Sequence, residues 1–364
     1  MAGYQTTNFD CADAEIGDLA LSVIGLVAIG RNEGQRLRAC LGSALAVLPR
    51  EQIVYVDSNS SDDSLEIAGK FGVAIVKLDD VSPLTAARAR NAGFAELLAR
   101  CPKLELVQFI DGDCELASGW LDVAARSLDQ HPEVAVVCGR VRERFPERST
   151  YNWLCDQEWD APIGETLACG GNAMFRVKPF EQVGGFRSEL IAGEEPELCL
   201  RLREQDWKVR RLDAPMTVHD AAMTSFSQWW RRASRGGYAY AEISSLHASS
   251  PARIWQREKM RTIAWGGILP LAIVGGAFLS PLAFAALLLY PAQVCRIALQ
   301  RGITRTTAWK FATFMMLAKF AEMQGVAGYW WSRAGGNTPT SIDYRDVDKR
   351  LTAKSGTACP KSPS

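Results

Sequence analysis

Short apolar runs alternate with segments of helical period from about Leu21 to Leu212. Val23 to Ile29 is a compact β-type run. Leu37, Leu41, Leu45 and Leu48 follow at the spacing of one helix face. Ile53 to Val56 predicts a second strand, and the Ser/Asp cluster after it can cap a helix over Ser64–Phe71. Val73 to Lys77, Leu104 to Ile110 and Val134 to Val141 continue the series, with helices between them. This alternation predicts an α/β fold with a mostly parallel central sheet flanked by helices. Ligands of such sheets bind beyond the carboxyl ends of the strands, so the residues after each strand are the ones to read for chemistry.

The pattern changes near Arg253. Arg253, Arg257, Lys259 and Arg261 lead into Ile263–Leu299, which carries no charge until Arg296. That run accommodates two spans of about 17 residues hinged at Ser280–Pro281, the lower limit for crossing a bilayer. Basic residues flank both ends (Arg261; Arg296, Arg301, Arg305) and none lie at the hinge, so the positive-inside rule puts both ends on the cytosolic side. Thr307 to Trp331 is apolar but interrupted by Lys310, Lys319 and Glu322, the pattern of an interfacial amphipathic helix. The expected organisation is an N-terminal extension (1–20), a catalytic domain (21–250), a membrane-associated helical region (251–335; hairpin 263–299, amphipathic helix 307–331) and a polar tail (336–364). A cytoplasmic catalytic domain attached to a bacterial inner membrane is the matching location.

Composition narrows the function classes. Lys plus Arg equals Asp plus Glu at 41 each, so there is no global basic field and nothing asks for nucleic acid. Hydrophobic residues make up 48% of 364, enough for a sizeable core. None of the ten cysteines forms a C-x-x-C pair, and Cys138, Cys169 and Cys199 sit in apolar runs as small core residues. With no secretory leader pattern at the start, a reducing compartment is expected for the catalytic part.

Four polar clusters fall where the architecture places chemistry: Arg31-Asn32-Glu33, Asp57–Asp62, Asp111-Gly112-Asp113, and Glu194–Arg201 opening a helix. Asp111 and Asp113 emerge from a buried strand, and two hard oxygen ligands there suit Mg²⁺ or Mn²⁺, which also bind substrate phosphates. The second D-x-D, Asp346 and Asp348, lies in the polar tail. The Glu194–Glu197 cluster is also what a helix N-terminus favours on dipole grounds, with Arg201 and Arg203 as partners on the same helix.

These clusters, with Ala89-Arg90-Asn91-Ala92-Gly93, Gly170–Arg176 and Gly184-Gly185-Phe186 between them, occur in the order of a family the chain resembles from about Ser22 to Glu242. It resembles a family 2 glycosyltransferase with the GT-A fold. The resemblance implies an inverting enzyme that moves a sugar from a nucleotide diphosphate sugar to a hydroxyl of a saccharide or lipid-linked acceptor. It implies nucleotide-sugar contacts at Asn32, Glu33, Asp57, Ser58, Arg90 and Asp111, with Asp57 on the base or ribose and Arg90 on the diphosphate. It makes Asp113 the main metal ligand, with Asp111 and His219 as further candidates. Glu195 stands where the family keeps its catalytic base, with Glu194 beside it, and the choice between them stays open. The family often has a second aspartate where this chain has Ser58, which leaves the nucleotide base open too. Gln228, Trp229, Arg231 and Arg232 resemble the segment that borders the acceptor channel in processive members, or serve as interface anchors. Two other readings remain: a sugar nucleotidyltransferase, though Gly30–Gly34 is a poor triphosphate loop, and a catalytically degenerate membrane scaffold.

Overall fold

Alternation in the sequence becomes alternation in space. In a computed structural model, which describes residues 23–79, 83–302 and 304–335, the first half builds β1 (Ile24–Gly30), α1 (Gln35–Leu45), β2 (Ile53–Asp57), α2 (Ser64–Phe71), β3 (Ala74–Lys77), α3 (Ala86–Arg100) and β4 (Leu106–Asp111). These four strands run parallel in the order β3-β2-β1-β4. β1 and β2 are buried along their length because helices cover both faces, which is why they read as continuous apolar runs rather than alternating ones. α1 buries Leu37, Cys40, Leu41 and Ala44 against the sheet; Leu48 is also buried but lies beyond the helix end.

Past β4 the sheet becomes mixed and curls. Next come β5 (Cys114–Leu116), α4 (Trp120–Gln130), β6 (Val134–Glu143), α5 (Thr150–Trp159), β7 (Gly164–Thr166), β8 (Ala173–Arg176), α6 (Val177–Gln182), α7 (Glu194–Arg203) and β9 (Lys208–His219). β8 lies antiparallel to both β4 and β6, β9 runs parallel to β6, and β5 and β7 pair antiparallel with β9. The core is continuous across both halves and includes an aromatic cluster of Phe109, Phe175, Phe180 and Phe186.

Four helices complete the chain: α8 (Phe226–Leu246), α9 (Gln256–Ala277), α10 (Pro281–Arg301) and α11 (Thr306–Gly335). α9 has 22 residues and α10 has 21, and their most apolar 18-residue windows have mean hydropathies of 1.3 and 1.7, so each is long and apolar enough to cross a membrane. At 1.5 Å per residue such helices reach about 32 Å, close to the thickness of a bilayer core. Only 11% and 6% of their most apolar windows are buried in the protein, and Leu271, Phe278, Leu279 and Leu282 stand exposed. The break falls at Ser280–Pro281, where the Ser280 hydroxyl caps the next turn. The first helix begins earlier than the apolar run does, at Gln256, and takes in Arg257, Lys259 and Arg261.

The segment over 307–331 lies within one long helix, α11, which packs against α8. α11 lays its small residues on α8, and Ala308, Ala312, Ala321 and Gly325 are buried there or against α10. A Cβ on Gly237 would come within 1.9 Å of the Glu322 carbonyl oxygen, and one on Gly325 within 1.8 Å of the Ser234 carbonyl oxygen. The two backbones are therefore in direct contact. Gly325→Val is expected to push α11 off α8 and lower stability by about 1–3 kcal/mol or more, as overpacking does; an unchanged thermal midpoint would show that this contact is not made. The expected extension 1–20 and tail 336–364, with Asp346 and Asp348, lie outside the described residues.

Candidate active site

The registers Gly30–Asp57 and Ile29–Asp111 bring the ends of β1, β2 and β4 side by side. The segment Ile191–Glu195 closes over them, leaving a cavity of about 350 Å³ whose walls include Glu33, Ser58, Arg90, Asp111, Asp113 and Glu195.

On the first side, the loops after β1 and β2 are sewn together. Asn32, in the left-handed region at φ 57°, donates its N–H to Ser60 Oγ at 2.9 Å, and its Oδ1 accepts from the Ser61 N–H at 2.8 Å. The Glu33 N–H donates to Ser64 Oγ at 3.0 Å, and its carboxylate pairs with Arg36 at 3.0 Å. Asp57 is 1% exposed; its Oδ2 accepts from the Ser60 N–H and its Oδ1 from the Tyr55 hydroxyl. Asp57 and Asn32 thus shape the loop, while Glu33 and Ser58 reach the cavity wall.

Arg90 occupies the centre. It is 2% exposed, and Nη1 meets Glu194 Oε1 at 2.8 Å and Glu195 Oε1 at 3.0 Å while Nη2 donates to Asp111 Oδ1 at 2.9 Å. Burial opposes the positive charge, but Glu195, Asp111 and Glu194 together outweigh it and raise the Arg90 pKa. In this arrangement Arg90 organises three carboxylates, while its Nε has no hydrogen-bond partner among the described residues. The next residue explains the rest of its motif: Asn91 donates to the Phe186 carbonyl and accepts from the Phe186 N–H, tying down the Gly184-Gly185-Phe186 turn.

Glu194 and Glu195 open α7 behind Gly193, whose φ of 81° and close neighbours (Ile243 and Trp255, 2.6 Å from a would-be Cβ) require glycine. Burial first, then the neighbouring Glu194 carboxylate, push the Glu195 carboxyl up to about 7, with Arg90 pulling the other way. A carboxylate poised near neutrality is suited to general base work. The first turn of α7 is held from outside the helix, since the fully buried Glu197 is paired with Arg187 and His247 as well as with Arg201 on the same helix.

Asp113 is paired with His219. His219 Nε2 lies 2.9 Å from Asp113 Oδ2, brought there by the β5–β9 pairing that sets Cys114 opposite His219. The His219 ring stacks on Trp159 with centroids 4.6 Å apart. Asp113, Cys114 and His219 form a group of possible donors with ligand atoms within 4.8 Å of one another. Burial and Asp113 raise the Cys114 thiol well above its usual range, so it stays neutral and is a weak donor. A carboxylate with an imidazole fits Mn²⁺ better than Mg²⁺, which prefers an all-oxygen octahedron.

The acceptor candidates divide. Gln228 forms a capping box with Ser225 at the start of α8, its Oε1 accepting from the Thr224 and Ser225 N–H groups. Arg231 turns back to the Ser227 carbonyl of its own helix. Neither side chain lines a described cavity, because each is held by the local backbone. Trp229 is 2% exposed, with Phe314 edge-on at 5.1 Å, so it packs into the protein rather than offering a free face to a sugar. Trp229 and Arg232 do border a second cavity, of about 520 Å³.

Comparison with known proteins now bears on this geometry. A model described as glycosyl transferase family group 2 matches residues 108–299, more than half the chain, and one described as glycosyl transferase family 2 matches residues 27–184. The chain belongs to glycosyl transferase family group 2. Pre-mycofactocin glycosyltransferase from two strains of Mycobacterium tuberculosis is 27% identical over 208 residues, 53% of this chain. The chain spans 38% of the length of those curated relatives. Among solved structures, the mannosyltransferase PcManGT of Pyrobaculum calidifontis, in complex with GDP-Man and Mn²⁺, aligns with a TM-score of 0.61 at 19% identity, covering 85% of this chain and 88% of that one. That likeness shows the GT-A type of fold.

In this member of the family several residues of the site have little or no signal in the sequence pattern. Arg235 lines the cavity and donates from Nε and Nη2 to the Ile191 carbonyl, holding the segment that leads into Glu194. It sits three residues after Arg232 on the same helix, a spacing that could have flagged it. Gly171 matters for what it lacks: a Cβ there would meet Arg90 at 2.6 Å and Asp111 at 2.8 Å. Trp159 had no local signal, since only the fold brings it to His219.

Proposed function

We propose that this chain is an inverting glycosyltransferase that moves a sugar from a nucleotide diphosphate sugar to a hydroxyl of a saccharide or lipid-linked acceptor, with divalent-metal help, at a membrane. The observation that carries the reading is one cavity with two kinds of carboxylate on its walls. Asp113, paired with His219, is a metal-type donor, and Glu195, held near neutrality, is a base.

Asp113, His219 and Asp111 would hold the cation, which supplies charge neutralisation to the departing nucleotide diphosphate. Ser58, Glu33 and the backbone of the sewn loops form the nucleotide side of the cavity. Glu195 Oε accepts the proton of the acceptor hydroxyl as that oxygen attacks the anomeric carbon opposite the leaving group, giving inversion. Arg90 fixes Glu194, Glu195 and Asp111 relative to one another, so the base and the donor side keep a constant separation. The mannosyltransferase with the similar fold carries GDP-Man and Mn²⁺, which supports the donor class without fixing this chain's sugar.

Membrane attachment is supported by the two exposed apolar helices α9 and α10. Arg257, Lys259 and Arg261 at one end and Arg296, Arg301 and Arg305 at the other favour the cytoplasmic face of an inner membrane for both ends of the hairpin.

Thermal-shift screening tests the reading directly. GDP- and UDP-sugars at a hundredfold excess over Kd should stabilise the full-length chain by about 2.7 kcal/mol, and do so only with Mn²⁺ present. A panel in which no sugar nucleotide shifts the midpoint with Mn²⁺ contradicts the proposed donor.

A further inference from the structure

The chain enters α7 through a short strap, residues 191–193, and the C-terminal helices hold that strap at two points. The first is Ile191, buried in a cluster with Tyr238 and Ala241 of α8 and Val326 and Tyr329 of α11. Both of its backbone polar groups are engaged by α8: the carbonyl accepts from Arg235 Nε and Nη2, and the N–H donates to Glu242. The second is Gly193, the N-terminal cap of α7, with Glu194 and Glu195 directly after it.

Gly193 is met by a residue of a different element. Trp255 caps the start of α9, and its Cζ3 and Cη2 atoms would lie 2.6 and 2.7 Å from a Cβ on Gly193, so the edge of the indole rests on the bare α-carbon. The same ring stands edge-on to Tyr240 of α8, with centroids 5.2 Å apart. The Trp255 backbone is in the left-handed region at φ 54°, where a bulky side chain is an outlier. Such a conformation persists only where surrounding contacts hold it. The Lys259 N–H donates to the Trp255 carbonyl at 2.9 Å, so the indole is carried on the first turn of α9. Further along, the Thr262 hydroxyl donates to Glu322, and a Cβ on Gly266 would lie 2.1 Å from the Lys319 carbonyl oxygen, which seats α9 on α11.

We infer that Trp255 is a positioning residue for the general base: its indole against Gly193 sets where α7 begins, so the seating of α9 fixes where Glu195 stands. The indole touches none of the groups proposed to react and acts only through the strap. Its leverage comes from the short path, since Glu195 is two residues from Gly193 and a displacement of about 1 Å between reacting groups can cost about 10²-fold in rate. A helix proposed to enter lipid would thereby take part in aligning the chemistry. The inference rests on the transferase reading above, in which Glu195 is the base.

The experiment uses the full-length chain in lipid nanodiscs and reads release of nucleoside diphosphate from GDP-mannose and UDP-glucose with Mn²⁺, water taking the place of the acceptor hydroxyl. Trp255→Asn removes the indole with a residue that tolerates the left-handed backbone, so the turn into α9 is kept. Its kcat should fall at least about tenfold while the donor KM stays within about twofold. Trp255→Phe, which keeps a ring beside Gly193, should recover most of the loss. In a Glu195→Gln background, Trp255→Asn should change the rate by less than about twofold, because a residue that acts through Glu195 has nothing left to act on. Should Trp255→Asn fail to fold, Trp255→Leu takes its place in each comparison. An unchanged kcat, a rise in KM that accounts for the whole loss, or an equal loss in the Glu195→Gln background overturns the inference. A wild type that releases nucleotide from neither donor, with hydrogen exchange over 191–197 still faster in Trp255→Asn, would instead sink the transferase reading and leave Trp255 a structural prop of α7.

Discussion

Glu195→Gln is expected to slow sugar transfer by roughly 10²–10⁴-fold, the usual scale for loss of a general base, while nucleotide-sugar binding stays within a few-fold of wild type. The amide keeps the side-chain shape and can still accept from Arg90 Nη1, which lies 3.0 Å from the present carboxylate, so the fold should hold. A pH profile sharpens the test. The base works ionised, and its carboxyl is pushed up to about 7 by burial and Glu194, so the wild-type rate should climb as pH rises through about 7 and then level off. In the variant that limb should vanish. Glu194→Gln should cost less, because Glu194 acts on the reaction only through Arg90 and Glu195. The reverse order of effects would make Glu194 the base. No slowing in either variant, with the fold intact, would falsify the assignment of both.

The second large effect concerns the cation. Asp113→Ala should abolish Mn²⁺-dependent nucleotide binding, whereas Asp346→Ala should change nothing. Asp113 is 4% exposed and lies against His219, so its removal takes away one of the pair of donors and also the partner that orients the imidazole. Calorimetry with and without Mn²⁺ decides: equal metal-dependent heats in wild type and Asp113→Ala would rule out this residue as a ligand.

The parallel half of the fold is legible because β1, β2 and β4 are buried on both faces and therefore written as nearly unbroken apolar runs, while the half-buried edge strand β3 is apolar over three of its four residues. Ser64–Phe71 is correct to the residue, as its boundaries are marked by a polar cluster before it and Gly72 after it. β5, β7 and β8 are three or four residues long and owe their extension to partners far away in sequence, so no local period announces them. Among site residues, those on strand ends and helix starts were found because position on an element implies position in space. The structural part of Gln228 has a local signal: Ser225 followed by Gln228 is a capping-box spelling, and it occupies the same side chain that an acceptor role would use. Arg90 is the opposite case. Its position on α3 was sound, but no one-dimensional pattern says that three carboxylates converge on it. The docking of α11 likewise depends on Gly237 and Gly325 meeting backbone on a partner helix, which a hydropathy pattern does not encode.

One guanidinium serving three carboxylates leaves the cage around Arg90 short of positive charge, with Asp113 adding a further acid nearby. The unliganded protein therefore holds a self-repelling site at the end of its parallel strands. Asp111→Asn or Glu194→Gln would ease that repulsion, and both should raise the melting point of the free protein even as they impair its chemistry. A laboratory selection for heat resistance alone would accordingly strip this pocket of its acids before it altered the core.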